Sequence, residues 1–169
     1  MTPFQGESIF IDLFKDLLQH PHAYERDHLP GHMTGSALIT DESGKFFLLT
    51  NHAKLDRWLQ PGGHADGDED IYRVAIREAQ EETGIKNFTM LNTGLFDIDI
   101  HLIPERNDFP AHYHYDVRVL LSTSRNTPLI LTEESQALEW IPADALDDKT
   151  RGNASIRRMA EKAAKLFTA

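Results

Sequence analysis

Apolar residues recur along the chain with two periods, and the switches between them mark out the elements. Residues 5–19 place Phe10, Ile11, Phe14 and Leu17 or Leu18 on one side of a helix, and Pro21 stops it. Residues 33–40 and 45–51 (MTGSALIT and KFFLLTN) read as adjoining strands around the turn Asp41-Glu42-Ser43-Gly44. Residues 89–103 form extended segments with a bend near Gly94. There Phe96, Ile98, Ile100 and Leu102 alternate with Asp97, Asp99 and His101, predicting one buried and one mainly polar side. A further strand is expected over 112–122, a short one over 137–141, and a helical turn from Pro142. Residues 153–167 close the pattern as a helix, capped by Asn153 and packed through Ile156, Met159, Ala160 and Ala163. Its basic residues Arg157, Arg158, Lys162 and Lys165 fit a solvent face.

Between the two halves lies the most informative stretch, Pro61 to Ile85 (PGGHADGDEDIYRVAIREAQEETGI). It reads as a glycine-rich turn, an acidic loop and a helix stopped by Gly84. With each helical residue advancing about 100°, Glu82 lies about 40° from Glu78 and Glu81 about 60° to its other side, so three carboxylates share one sector. Tyr72, Ala75, Ile76, Ala79 and Thr83 form an adjoining, mostly apolar side. Such a helix can bury one sector on a sheet and hold the other at the rim of a cleft. Clustered carboxylates repel unless cations neutralise them, and hard divalent ions such as Mg2+ prefer oxygen ligands shared with substrate phosphates. A solvated acidic helix face has the same pattern.

The spacing of fixed residues decides between those readings. Gly63, Glu69 and the run Arg77-Glu78-Ala79-Gln80-Glu81-Glu82-Thr83-Gly84-Ile85 resemble a complete Nudix box, the signature of the Nudix hydrolases. The resemblance implies a Nudix-like α/β/α sandwich with a mixed β-sheet and added terminal helices. A single domain is expected over residues 1–169, with the likeness strongest over 33–146. It implies Mg2+ or Mn2+ held by Gly63 (through its carbonyl), Glu69, Glu78, Glu81 and Glu82, with Arg77 positioning the acidic cluster. The general base is left open between Glu81, Glu134 and a residue across the cleft. WLQPGGHAD and HYHYD are also similar to a bacterial subgroup that carries only the general family name.

Further polar residues join the candidate list. On a strand, His112, His114 and Asp116 share one face. Two imidazoles and a carboxylate so spaced can bind a transition ion, orient water or grip a phosphate; a polar sheet face is the simpler account. His64 beside Gly63 is a candidate for the same cleft. His20, His22, His28 and His32 are dense but broken by Pro, Asp and Gly, so they read as ordinary surface or hydrogen-bonded histidines, His32 being the least remote from the next strand, with a structural zinc site as the alternative. Trp58 and Trp140 read as core.

Composition narrows the partners. The 169-residue chain holds 40% hydrophobic residues, enough for one substantial core, and it has no Cys, which excludes disulfides, thiolate metal sites and Cys nucleophiles. A formal charge of −10 opposes duplex nucleic acid more than a small phosphorylated substrate, whose charge bound cations offset. Neither a signal peptide nor a transmembrane run is present, so a cytoplasmic location without membrane attachment is expected. The apolar sides of the outer helices serve either their own domain or a homodimer. The implied activity is hydrolysis of a nucleoside diphosphate linked to another moiety, such as ADP-ribose or a nucleotide sugar. A nucleoside triphosphate pyrophosphatase and a non-catalytic nucleotide-binding regulatory module are the competing readings.

Overall fold

The computed structural model describes residues 7–133 and 135–169. The elements run α1 (Glu7–Leu17), β1 (Gly31–Thr40), β2 (Phe46–His52), β3 (Arg57–Leu59), β4 (Gly62–His64), α2 (Ile71–Thr83), β5 (Thr89–Met90), β6 (Asp97–Ile103), β7 (His112–Ser122), β8 (Ser135–Pro142), α3 (Leu146–Lys149) and α4 (Ala154–Phe167). Residues 5 and 6 of the expected first helix lie outside the described residues, and a 3-10 turn, Ala143–Ala145, leads into α3.

One mixed sheet of eight strands organises the molecule. Its spine is the parallel pair β1 and β7, in register from Gly31↔Tyr113 to Thr40↔Ser122. The other pairings are antiparallel: β6 and β5 on β7, β2 and β4 on β1, and β3 and β8 on β2. Strand β1 changes partner along its length, taking β4 at Thr34–Ser36 and β2 at Ile39–Thr40. The glycine-rich turn therefore contains a strand that the periodicity did not foresee. It is short, and Gly62 lies so close to Ser36 that a Cβ there would overlap the serine side chain.

Helices cover both faces, giving the expected α/β/α layering. On one side Val74, Ala75 and Ala79 of α2 and Phe14 and Leu17 of α1 pack on Met33, Ala37, Ile39, Val117 and Val119. Gly35 lets α2 sit against the sheet: a Cβ there would stand 2.9 Å from the Ile71 carbonyl oxygen and 3.0 Å from the Ala75 nitrogen. On the other side Ile156, Met159 and Ala163 of α4 pack on Leu38, Phe47, Leu49 and Leu120. Asp70 and Asn153 cap α2 and α4, and Gly84 ends α2 at φ 74°.

The edge strand β6 is buried on both sides where it begins: Ile98 is 4% exposed on the apolar side and Asp97 1% exposed on the acidic side. Asp97 receives Nε and Nη2 of Arg158 (2.8 Å each), Nη1 of Arg118 (3.3 Å) and Nζ of Lys162 (2.7 Å). Arg158 and Lys162 thus leave the solvent face assigned to them. They are the part of α4 that meets a sheet face carrying carboxylates, and Lys162, 5% exposed, also reaches Glu7 of α1 at 2.5 Å. Burial opposes ionisation of Asp97 and Asp99, yet Arg158, Arg118 and Lys162 hold Asp97 below the usual carboxylate range, and the His101 hydrogen bond with the Arg118 and Arg158 charges holds Asp99 at about 2.

Candidate functional site

The box residues meet where α2 faces β4. Glu82 is buried and its Oε1 accepts the Gly62 amide at 2.9 Å. Glu78 lies against Gly63, where a Cβ would overlap its carboxylate. Arg77 Nη2 spans the two elements, donating to the His64 carbonyl at 2.8 Å and to Glu78 Oε1 at 2.9 Å. Glu81, 64% exposed at its side chain, stands 4.0 Å from Arg77 Nε. The three carboxylates therefore do not share one environment as the helical projection suggests: Glu82 is inside, Glu78 half-buried and Glu81 outside. The reason is β4, which crosses over part of the acidic sector.

Glu69 is exposed in the loop before α2, where its charge adds to burial in raising the Tyr24 pKa. Glu134 lies outside the described residues. Trp58 is partly buried on the core with Lys149 Nζ 4.2 Å above its ring. A depression of about 560 Å3 runs along the outer side of α2, lined by Arg73, Ile76, Arg77 and Gln80, and touches this site only through Arg77.

Within the expected group His112, His114 and Asp116, the aspartate and the imidazoles have different partners. Asp116 accepts from Thr34 Oγ1 (2.9 Å), Ser36 Oγ (2.6 Å) and Arg118 Nε (2.9 Å), bonds that tie it into the buried ion network. The imidazoles instead join residues from other strands. The β1–β7 register sets His32 beside His114, and β6 sets His101 on the far side of His114. β4 brings in His64 opposite Thr34. Ring centroids are 5.2 Å apart for His32–His64, 5.1 Å for His32–His114 and 5.0 Å for His64–His114. His112 stacks on His32 at 5.0 Å, and its Nε2 is 3.3 Å from His114 Nε2.

His32, His64 and His114 offer one nitrogen each within 4.8 Å of one another, a triad capable of coordinating a divalent metal. Burial lowers the pKa of all three, with neighbouring positive groups adding to it: His64 falls to about 4, His114 to about 2. At neutral pH they present uncharged nitrogens. The sequence reading missed His32 as a partner, because only the pairing of strands about 80 residues apart brings it to His114.

Residues 31–163 match the NUDIX domain model, and the chain belongs to that family. It is 28% identical over 106 residues to the rat bis(5'-nucleosyl)-tetraphosphatase [asymmetrical], covering 59% of this chain and 65% of the rat protein. A probable DHNTP pyrophosphohydrolase of Lactococcus lactis is 32% identical over 115 residues, 63% of this chain and 67% of that one. Among solved structures, a NUDIX-family hydrolase from Clostridium perfringens superposes with a TM-score of 0.60 at 26% identity, covering 80% of this chain and 97% of its own. The chain spans 29% to 65% of the length of several curated relatives that it matches. No helix among the described residues is long and apolar enough to cross a membrane.

Proposed function

We propose that the protein is a metal-dependent pyrophosphohydrolase that cleaves a nucleoside diphosphate linked to another moiety. The observation that carries this is the placing of Glu78, by Arg77, and Glu82, by the Gly62 amide, against Gly62–Gly63, in a box complete in sequence. Two glycines leave room for carboxylates against a backbone strand, and the donors are all hard oxygens, so the set suits Mg2+ or Mn2+. Glu78, Glu81 and Glu82 would hold the ion, with Glu69 and the Gly63 carbonyl contributing. When bound it polarises phosphoryl oxygens and lowers the pKa of water.

The chain's own groups supply the rest. Arg77 fixes the Glu78 carboxylate and the β4 backbone as one unit, so the ligand oxygens are placed before substrate arrives. Glu82 is oriented by the Gly62 amide, which donates to its Oε1 at 2.9 Å. Glu81, on the open side of α2, has the freedom to accept a proton from the attacking water. Hydrolysis then separates the two phosphoryl groups of the anhydride.

The names of the rat and Lactococcus relatives favour a second substrate reading, a chain of three or more phosphates. Turnover of ADP-ribose, nucleotide sugars, dinucleoside tetraphosphates and nucleoside triphosphates, each with Mg2+ and Mn2+ varied, separates the two by their products. Glu81→Gln is expected to lower kcat by about 10²–10⁴-fold, the range for loss of a general base. Glu82→Gln is expected to lose most activity as well. Turnover equal to wild type in both variants refutes the assignment, and saturable nucleotide binding without turnover in the wild type supports a regulatory module instead.

A further inference from the structure

The imidazole cluster is unexplained by the hydrolytic reading. Box carboxylates suffice for a hard ion, and nothing in that chemistry calls for nitrogen donors on three strands. Yet among the most buried polar side chains is His32, 1% exposed, whose Nε2 has no hydrogen-bond partner. Leaving a buried polar nitrogen unsatisfied is costly and calls for an occupant.

The opposite nitrogen of that ring is fully accounted for. His32 Nδ1 lies 3.2 Å from the His28 carbonyl oxygen, which can only accept, so Nδ1 carries the proton and Nε2 presents its lone pair to the cluster. His28 is itself fixed, its Nδ1 donating to the Gly31 carbonyl at 2.7 Å. A carbonyl holding one imidazole nitrogen while the other points into a group of further imidazoles is the outer-sphere arrangement of metal-bound histidine. His112 repeats it, with Nδ1 2.9 Å from the Pro110 carbonyl oxygen and Nε2 facing His114.

We propose that His32, His64 and His114 form a second metal centre, separate from the box carboxylates, that takes a borderline transition cation of the Zn2+ type. Three nitrogen donors within 4.8 Å of one another can surround one ion with bonds of about 2.0–2.1 Å after small side-chain adjustments. The donor type excludes Mg2+ as the preferred occupant, since that ion selects oxygen, while imidazole suits Zn2+, Fe2+, Co2+ and Ni2+. The fourth position is open to His112, to water or to a phosphate oxygen.

The ligands come from β1, β4 and β7, so the ion fastens the three-residue strand β4 to the sheet spine. That strand carries Gly62 and Gly63, against which Glu82 and Glu78 rest, and the His64 carbonyl that Arg77 grips. Occupancy of the imidazole centre thus stiffens the floor of the carboxylate site. The inference does not depend on the chain being a hydrolase.

The test uses the full chain, stripped with chelator and dialysed against Zn2+ in excess Mg2+. Roughly one Zn2+ per chain is expected to be retained and to raise Tm. X-ray absorption at the Zn edge should show imidazole nitrogen as the main ligand. Co2+ in its place should give visible bands. His64→Ala and His114→Ala are expected to lose the retained ion and the Tm increase, while Glu81→Gln keeps both. Should either histidine variant fail to fold, the wild-type absorption spectrum alone decides. Failure of the wild type to retain Zn2+, an all-oxygen ligand shell, or an ion lost in Glu81→Gln but kept in the histidine variants overturns the proposal. Mg2+-dependent turnover, measured in parallel on the stripped wild type, reports on the hydrolytic reading independently.

Discussion

Gly63 and Gly35 both lie where a side chain would collide, but with different things, and a single methyl group at each should separate catalysis from stability. At Gly63 a Cβ meets the Glu78 carboxylate, the far end of a side chain that can swing away. Moving it gives up the bond from Arg77, a pair whose side chains are 35% and 13% exposed. Solvent screening leaves that contact worth about 1 kcal/mol. For a chain of this size that is a fall in Tm of roughly 2–4 °C. Displacing a ligand oxygen by about an ångström can cost about 10²-fold in rate, or close to 3 kcal/mol of transition-state stabilisation. At Gly35 the Cβ meets backbone of α2, the Ile71 carbonyl oxygen at 2.9 Å and the Ala75 nitrogen at 3.0 Å, and neither can rotate away. Lifting the helix off the sheet costs about 1–3 kcal/mol or more. Gly63→Ala should therefore retain nearly full stability and lose most turnover, whereas Gly35→Ala should lose stability first. Urea unfolding followed by circular dichroism, with product analysis at saturating Mg2+, measures both. Near-normal turnover in Gly63→Ala, or a stability loss equal to that of Gly35→Ala, refutes the account of how Glu78 is held.

Asp97→Ala removes a shared buried partner from Arg118, Arg158 and Lys162, which keep Asp116 and Asp99, Asp99, and Glu7 respectively, and should destabilise the fold by about 3 kcal/mol in chemical denaturation, while Glu139→Ala, which breaks the exposed pair with Lys149, should cost under about 1 kcal/mol. Asp99 has a folded pKa of about 2 against an unfolded value near 3.9, so its contribution is present above about pH 4 and is lost as pH falls towards 2. Urea midpoints followed from pH 5 to 2 should fall by an equivalent of about 2 kcal/mol from this group, and Asp99→Asn should flatten that part of the profile. An unchanged slope in the variant would show that other carboxylates govern acid unfolding.

The sequence carried the elements better than it carried their neighbours. Helix α2 and its stop at Gly84 were legible because periodicity and glycine agree locally, and α4 was legible from its periodicity and the cap at Asn153. The box was readable as a string because its spacing is local. What escaped was everything fixed by contacts across the sheet. Alternation in β6 correctly separated Asp97 and Asp99 from Ile98 and Ile100, but could not say that the carboxylates face buried cations. Only α4, placed on that face by its apolar side, supplies Arg158 and Lys162. Likewise His112, His114 and Asp116 were singled out together, without His32. Period two puts all three on one face, but Thr34 and Ser36 engage the aspartate, while His32 and His64 arrive from strands whose pairing no local pattern encodes.

The ten-pair alignment of β1 with β7 also shapes how the protein comes into being. Those partners are separated by about 80 positions, and closing so long a loop before any contact repays it makes the encounter an entropic bottleneck. The helices can flicker into shape on their own, but the imidazoles have nowhere to meet until that late zippering is complete. During synthesis, residues 31–40 must wait, shielded or exposed, for a strand the ribosome has yet to make.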